Sequence, residues 1–531
     1  MSPKVILCPR GAIGLFLGFA VLLAGQLSAA TPPLWGDLDP GPYAVGFRTI
    51  EKYDFSRTFR TPTDYFGDPV DGEIARPIQA CIWYPAKADP DAMTMVYSEY
   101  SIPFPQDNSF ANFVAALQNV DLTRLFGYFN GQQPLVLATM DIEMAGIRDA
   151  EPAEGSFPLI IYHGSQQMAY NDNLVLCEYL ASHGYVVATT HSFGVRTVRI
   201  EGGPDDFETL VRDKEVVEAI AIELPYVDRD RQGLLGFGSG GSTALVHLMR
   251  HPELGALATI HAGFLTTQGL AGVVANPFYA TTNELVPWLC LYSAEGMTND
   301  LSMIDSLQYC PRYEVAVSGY SPQQLNSYWL VAGHLAPDST NPPEVARRGH
   351  DLTCRATLEF FDHYLMHYDS DQLSFSGLDS TVRTAFFNAN PVPPTSTQFA
   401  GLLQTHGSER VETLIDQYDL LNPEHPILPD GTFVGLGYGF LTAGRVDDAL
   451  AVFKWNVTAY PTSANAWDSY GEACSANDDV EQALACYRKA VELAPSDTTL
   501  PVAFRGNFVE RIGPIIEGLE QRLAERNAGG R

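Results

Sequence analysis

The stretch "GLLGFGSGGSTALVH", Gly233 to His247, decides how the rest of the chain is read. It opens as an apolar strand, passes glycines at 236, 238, 240 and 241, and runs into an apolar helix. Strand, tight turn and helix in that order are the setting of a G-x-S-x-G turn, which lifts a serine between two glycines on a strained backbone. Counted from Gly236, the central place falls on Gly238, and Ser239 stands one place late. Two registers follow. In the first, Gly238 occupies the turn and relaxes it, because glycine tolerates angles that cost other residues about 1–3 kcal/mol. Ser239 then begins the helix and its hydroxyl meets local backbone donors. In the second, Ser239 is the nucleophile, and Phe237 takes the place where a glycine normally lets strand and helix approach.

Outward from this stretch, buried strands alternate with amphipathic helices between Phe157 and about Asp369. "FPLIIYHG", "YVVATTHS", "QGLLGF", "ALATIHAG", "PWLCLYS" and "SYWLVAG" are apolar runs of strand length. "NLVLCEYLASHG", "KEVVEAIAIEL" and "CRATLEFFDHYLMHY" carry helical periodicity. Continuous apolar strands between helices imply a mostly parallel, doubly wound sheet with both faces covered. An earlier strand region precedes them, interrupted by a polar insertion at 86–156 with helical pieces.

From 371 to 429 the sequence turns Ser-, Thr- and Pro-rich in places, as in "NANPVPPTSTQ", while "ERVETLIDQYDLL" reads as a helical piece within this linker. Beyond it, Phe433, Leu436, Gly437, Phe440, Ala449, Phe453 and Pro461 recur 34 residues later as Trp467, Tyr470, Gly471, Cys474, Ala483, Tyr487 and Pro495. This period resembles the tetratricopeptide repeat, in which small residues let two antiparallel helices close on each other and large ones fill the gap. Two repeats seldom stand alone. They are expected to lean on a neighbouring helix such as "PIIEGLEQRLAER", and to serve either as a structural appendage or as a site for a protein partner. The expected division is therefore 31–370, 371–429 and 430–531, a large α/β domain followed by a small all-α one.

The 531 residues carry 32 Lys and Arg against 63 Asp and Glu, a net charge of -31, which excludes nucleic-acid binding by charge attraction. Lys4 and Arg10, then "AIGLFLGFAVLLAG", then "QLSAATPP", follow the order of a secretory signal, with cleavage expected near Ala29 or Ala30. The expected destination is secreted or periplasmic, with no membrane span once residues 1–30 are removed. Cleavage also removes Cys8 and leaves seven cysteines, to which no pairing is assigned. Asn456 begins the sequon "NVT", which has meaning only in a eukaryotic secretory route and is otherwise helix surface.

"RPIQACIWYPA", "FPLIIYHGSQQ", "EYLASHGYVVATTHSF" and "VDRDRQGLLGFGSGGSTAL" together resemble the dienelactone-hydrolase-like branch of the α/β-hydrolases, nearest its platelet-activating-factor acetylhydrolase type. The resemblance covers most of residues 40 to 370. It implies a Ser-Asp-His triad cleaving carboxylic esters, with oxyanion donors near an HG motif and after the nucleophile. His163-Gly164 is that motif here, with Ser165 beside it and Ser239 after the elbow. The ungapped match from Val227 puts Gly238 on the serine, and "TIHAG", which matches the segment that carries the aspartate after the next strand in that branch, puts His261 in the place of the acid. A histidine offers neither the full negative charge nor the hydrogen-bond geometry that orients a catalytic imidazole. Glu295, after the next strand, is the available substitute acid. His334 in "LVAGHLAPDS" matches the general base.

His163, His191, His261 and His334 with Glu295 also raise a zinc site, since imidazole and carboxylate suit that ion. His163 and His191 have simpler family origins, so no metal and no cofactor are assigned. Two functions stay open. One is an exported hydrolase-fold protein that has lost turnover and holds a small acyl or ester ligand. The other is an active esterase or lipase-like enzyme using Ser239, His334 and Glu295.

Overall fold

The computed structural model describes residues 31–529 except 61–62, 64–65, 67, 70–74, 102–109, 167–168, 296–298, 337–340, 367–372, 374, 376–377, 379 and 423–425. The expected signal at 1–30 lies outside the described residues. Ten strands are present: β1 Ala44–Thr58, β2 Ala75–Ala86, β3 Gly146–Arg148, β4 Phe157–His163, β5 Val186–Thr189, β6 Val227–Phe237, β7 Ala256–Ile260, β8 Trp288–Ser293, β9 Arg312–Val317 and β10 Val382–Phe387. They are ordered β10-β9-β8-β7-β6-β4-β5-β2-β1-β3. Strands β4 and β5 pair in parallel, as do β6 to β9 in succession, whereas β2 is antiparallel to both β1 and β5. With helices between the parallel strands, this is the mostly parallel sheet of an α/β-hydrolase fold, followed by an all-helical C-terminal region.

The chain divides into two compact units. One holds the described residues up to Gln232 with Tyr320–Glu359, the other Gly233–Gly319, Phe360–Phe375 and the described residues from Ser380 onward. In the first unit, β2 is buried along almost its whole length and carries Trp83 into a group of rings with Phe47, Tyr100 and Tyr170, their centroids 4.7 to 6.3 Å apart. Glu178 sits fully buried in the helix Leu174–Ser182. Its carboxylate accepts from the Trp35 indole at 3.1 Å, the Tyr100 hydroxyl at 2.8 Å, and the amides of Ala145 and Gly146 at 3.1 and 2.9 Å. Burial raises its pKa in spite of those four donors. One helical carboxylate thus ties together the N-terminal segment, the helix Tyr97–Ser101 and the start of β3.

Three expectations are corrected. The insertion at 86–156 supplies more than helices, because β3 within it pairs in parallel with β1. Residues 371–429, read as a linker with a helical piece, contribute β10, antiparallel to β9. "SYWLVAG" is not a strand but lies in the helix Ser327–Leu335, whose preceding Asn326 accepts the Tyr328 amide at 2.8 Å. Periodicity cannot tell a buried strand from a buried helical segment in so short an apolar run, and a polar residue in the N-cap place is the local mark of the helix. The true strand of this region is "RYEVAV", β9, in which charged Arg312 and Glu314 obscured the apolar signal.

The C-terminal region forms two successive antiparallel hairpins, Asp430–Thr442 with Val446–Ala459 and Ala464–Ala476 with Val480–Leu493. Their starts repeat at the 34-residue offset of the sequence pattern. A Cβ placed on Gly437 would lie 2.3 Å from the Phe453 ring, and one on Gly471 3.2 Å from the Tyr487 ring. The small residue and the aromatic of the pattern therefore face each other in both hairpins. The helices Ser396–His406 and Ser408–Leu421 precede the first hairpin and share its core through Phe399, Leu403 and Ile415. The helix Val502–Gly529 covers the second through Phe508, Ile512 and Leu519.

Candidate functional site

In the second unit, β6 ends at Phe237, Gly238 makes the turn at φ 56° and ψ -130°, and Ser239 is the first residue of the helix Ser239–Arg250. The left-handed φ that a G-x-S-x-G turn imposes on its central residue thus belongs to Gly238. Its amide donates to the Ile260 carbonyl at 3.0 Å, and its own carbonyl accepts from Gly241 at 3.0 Å and Gly263 at 2.6 Å. Strand and helix touch at Gly236, where a Cβ would stand 2.6 Å from the Gly241 Cα. Gly236 therefore needs to be glycine, as the ungapped register requires. Ser239 is half-buried at the helix start.

The loop after β7 lies on this turn, with Ile260 and Gly263 both bonded to Gly238 and His261 just after Ile260. His261 is held at φ 42°, its amide donates to the Leu291 carbonyl at 2.7 Å, and its Nδ1 is buried without a hydrogen bond. Burial lowers its pKa to about 4, so the ring is neutral at physiological pH and supplies no negative charge. Glu295, also in this unit, is exposed, and its carboxylate accepts the Gly319 amide at 3.0 Å.

The remaining expected residues belong to the first unit. His334 stands in the last turn of the helix Ser327–Leu335, half-buried, with its Nδ1 3.4 Å from the Arg347 guanidinium. Burial and that positive charge lower its pKa. A triad histidine has a carboxylate at this nitrogen to stabilise its cation, whereas Arg347 opposes the cation. His163 ends β4, fully buried, and Gly164 and Ser165 follow. The Ser165 amide, an expected oxyanion donor, points to Asp172 Oδ2 at 3.3 Å, while Asp172 Oδ1 accepts the Tyr162 hydroxyl at 2.7 Å. Burial raises the Asp172 pKa to about 6. His191 follows β5, buried edge-on to Tyr170 with ring centroids 4.7 Å apart, its Nε2 without a hydrogen bond and its pKa lowered by burial to about 3. Among the described residues no three His, Cys, Asp or Glu side chains are grouped to hold a metal ion.

Sequence reading missed the groups that surround the HG loop. Asp172 also borders a small cavity with Tyr97, Ser101, Asp121, Arg124 and Tyr328, of about 20 Å³, room for one water. Asp121 Oδ2 is buried there without a hydrogen bond, and burial raises the Asp121 pKa to about 7 although Arg124 stands 3.8 Å away. Lys214, fully buried on the helix Pro204–Ala221, donates to Thr189 Oγ1 at 2.8 Å and the Thr190 carbonyl at 2.5 Å, which fixes the strand end before His191. Burial lowers its pKa to about 8. Asp172 had one legible signal, the polar triplet "NDN" set just before an apolar helix.

No protein-family model matches this chain, and no curated protein matches it. Among solved structures it is similar to a ferulic acid esterase from Streptomyces cinnamoneus, with 16% sequence identity and a TM-score of 0.44 over 65% of this chain and 96% of that one. The strand order, with the strand, turn and helix around Gly238, defines the fold.

Proposed function

We propose that the protein is an exported member of the dienelactone-hydrolase-like branch of the α/β-hydrolases that has lost ordinary ester turnover and binds a small acyl or ester ligand. The observation that carries this reading is Gly238 at φ 56°, which puts a residue with no side chain at the turn built to present the nucleophile. Two further placements support it: Arg347 rather than a carboxylate lies at His334, and Glu295 is exposed with Oε1 on the Gly319 amide. Loss of a triad serine costs about a millionfold in turnover in a well-studied serine protease, so little ester hydrolysis is expected. The two C-terminal hairpins are proposed to be tetratricopeptide repeats that brace the chain or dock a protein partner, supported by the facing glycine and aromatic of each hairpin.

Fluorophosphonate labelling of the mature protein tests the central claim, run beside Ser239→Ala and Gly238→Ser with the modified residue located by mass spectrometry. No labelling of the natural chain is the expected result, and labelling of Gly238→Ser at position 238 would show that the turn keeps a working base and lacks only its nucleophile. Labelling of the natural chain that vanishes in Ser239→Ala would establish the active reading with Ser239, His334 and Glu295 instead.

A further inference from the structure

We propose that Cys474 and Cys486 are a disulfide-forming pair that staples the second helical hairpin beside the turn anchoring the C-terminal helix. The two residues come from the facing helices Ala464–Ala476 and Val480–Leu493, are 1% and 0% exposed, and each is the first cause of the other's pKa shift, raising that of Cys474 and lowering that of Cys486. The positions 34 residues earlier are Phe440 and Val452, which pack in one buried cluster of the first hairpin. Gly471, one turn before Cys474, lies against the Tyr487 ring, next after Cys486, and keeps the helices close at this level. Gln482 Nε2 donates to Cys486 Sγ at 3.5 Å. The first hairpin has apolar side chains at both positions, so the staple is particular to the second.

The segment between the two cysteines carries Asp478 at φ 60°, whose carboxylate receives Arg522 at 2.6 Å and also Arg526, both from the helix Val502–Gly529. A covalent link across the base of this turn holds the acceptor of both arginines in place. Glutathione disulfide is the oxidant. The Cys486 thiolate, to which the Gln482 amide donates, attacks one glutathione sulfur and releases the first glutathione. Cys474 sulfur then attacks Cys486 Sγ in the mixed disulfide and releases the second. The two cysteine protons end on the two leaving thiolates, the cysteines are oxidised, and one glutathione disulfide is reduced to two thiols. Both sulfurs are buried, so exchange proceeds through local opening of the hairpin turn.

The test uses the full chain equilibrated with glutathione disulfide or with excess reduced glutathione, alkylated, and digested without reduction. The expected result is one crosslinked peptide joining Cys474 to Cys486, with the loss of two hydrogens, and slower amide exchange across residues 502–529 in the oxidised form. Alkylation of both cysteines, or glutathione adducts without the crosslink, overturns the pairing. Unchanged exchange on oxidation overturns the stapling. A Cys474→Ala/Cys486→Ala chain is expected to lose the redox dependence of that exchange, and a difference that persists there also sinks the proposal.

Discussion

At Asp121 a carboxylate is carried by the helix Ala111–Tyr128 into a cavity that leaves one of its oxygens unpaired, with a pKa of about 7 against 3.8 in the open chain. A raised folded pKa gives a stabilising contribution that is complete below the unfolded value and is lost as pH rises through the folded one. Asp121→Asn is therefore expected to leave stability at pH 4 almost unchanged and to raise it at pH 8, by a few kcal/mol at about 1.4 kcal/mol per pKa unit. Urea denaturation at the two values reads this, and an equal effect at both would contradict it. His261, His191 and His350 have the opposite sign, because burial lowers their pKa values to about 4, 3 and 3. Their contribution is present above the unfolded value near 6.5 and is lost as pH falls toward the folded ones. None of these shifts could be read from the sequence, since each comes from neighbours far along the chain.

Helices carry the next level of constraint, and the two hairpins supply a graded comparison. At Gly437 the added Cβ would press into Phe453 at 2.3 Å, whereas at Gly471 it would meet Tyr487 at 3.2 Å, a gap that a small shift opens. Gly437→Ala is expected to destabilise the chain by about 1–3 kcal/mol and Gly471→Ala by clearly less. Chemical denaturation of the full chain followed by far-UV signal checks the order, and the reverse order would refute the packing argument. In the helix Leu174–Ser182, Glu178→Ala would strand the Trp35, Tyr100, Ala145 and Gly146 donors. At about 1–3 kcal/mol for each buried donor left unpaired, a loss of roughly 3 kcal/mol or more is expected, with Glu178→Gln milder. The same denaturation experiment decides it.

For the whole molecule, net charge and the proposed export each set an expectation. A net charge of -31 keeps the chain away from polyanions whatever the details of its site. The proposed export has a direct readout: intact mass of the protein recovered from the culture medium or periplasm is expected to correspond to a chain starting after Ala29 or Ala30. A full-length mass, or protein found solely in the cytosol, would overturn it. No helix among the described residues is long and apolar enough to cross a membrane.

The sequence by itself determined the alternation that yields the parallel sheet, the glycine turn at 236–241 and the repeat offset of the C-terminal helices. Those features are local, written in spacings of 2 or 3.6 residues and in single glycines. It left open which of Gly238 and Ser239 holds the turn, and tertiary structure settled that by giving the left-handed φ to Gly238 and the strand-to-helix contact to Gly236. It misread Ser327–Leu335, because a nine-residue apolar segment carries too little periodicity to separate helix from strand. The Asp172 carboxylate at the Ser165 amide, the Arg347 guanidinium at His334 and the pairing of β10 with β9 were decided only in three dimensions. Each depends on which distant side chain or strand edge fills a place, and the packing of the chain, rather than its local pattern, makes that choice.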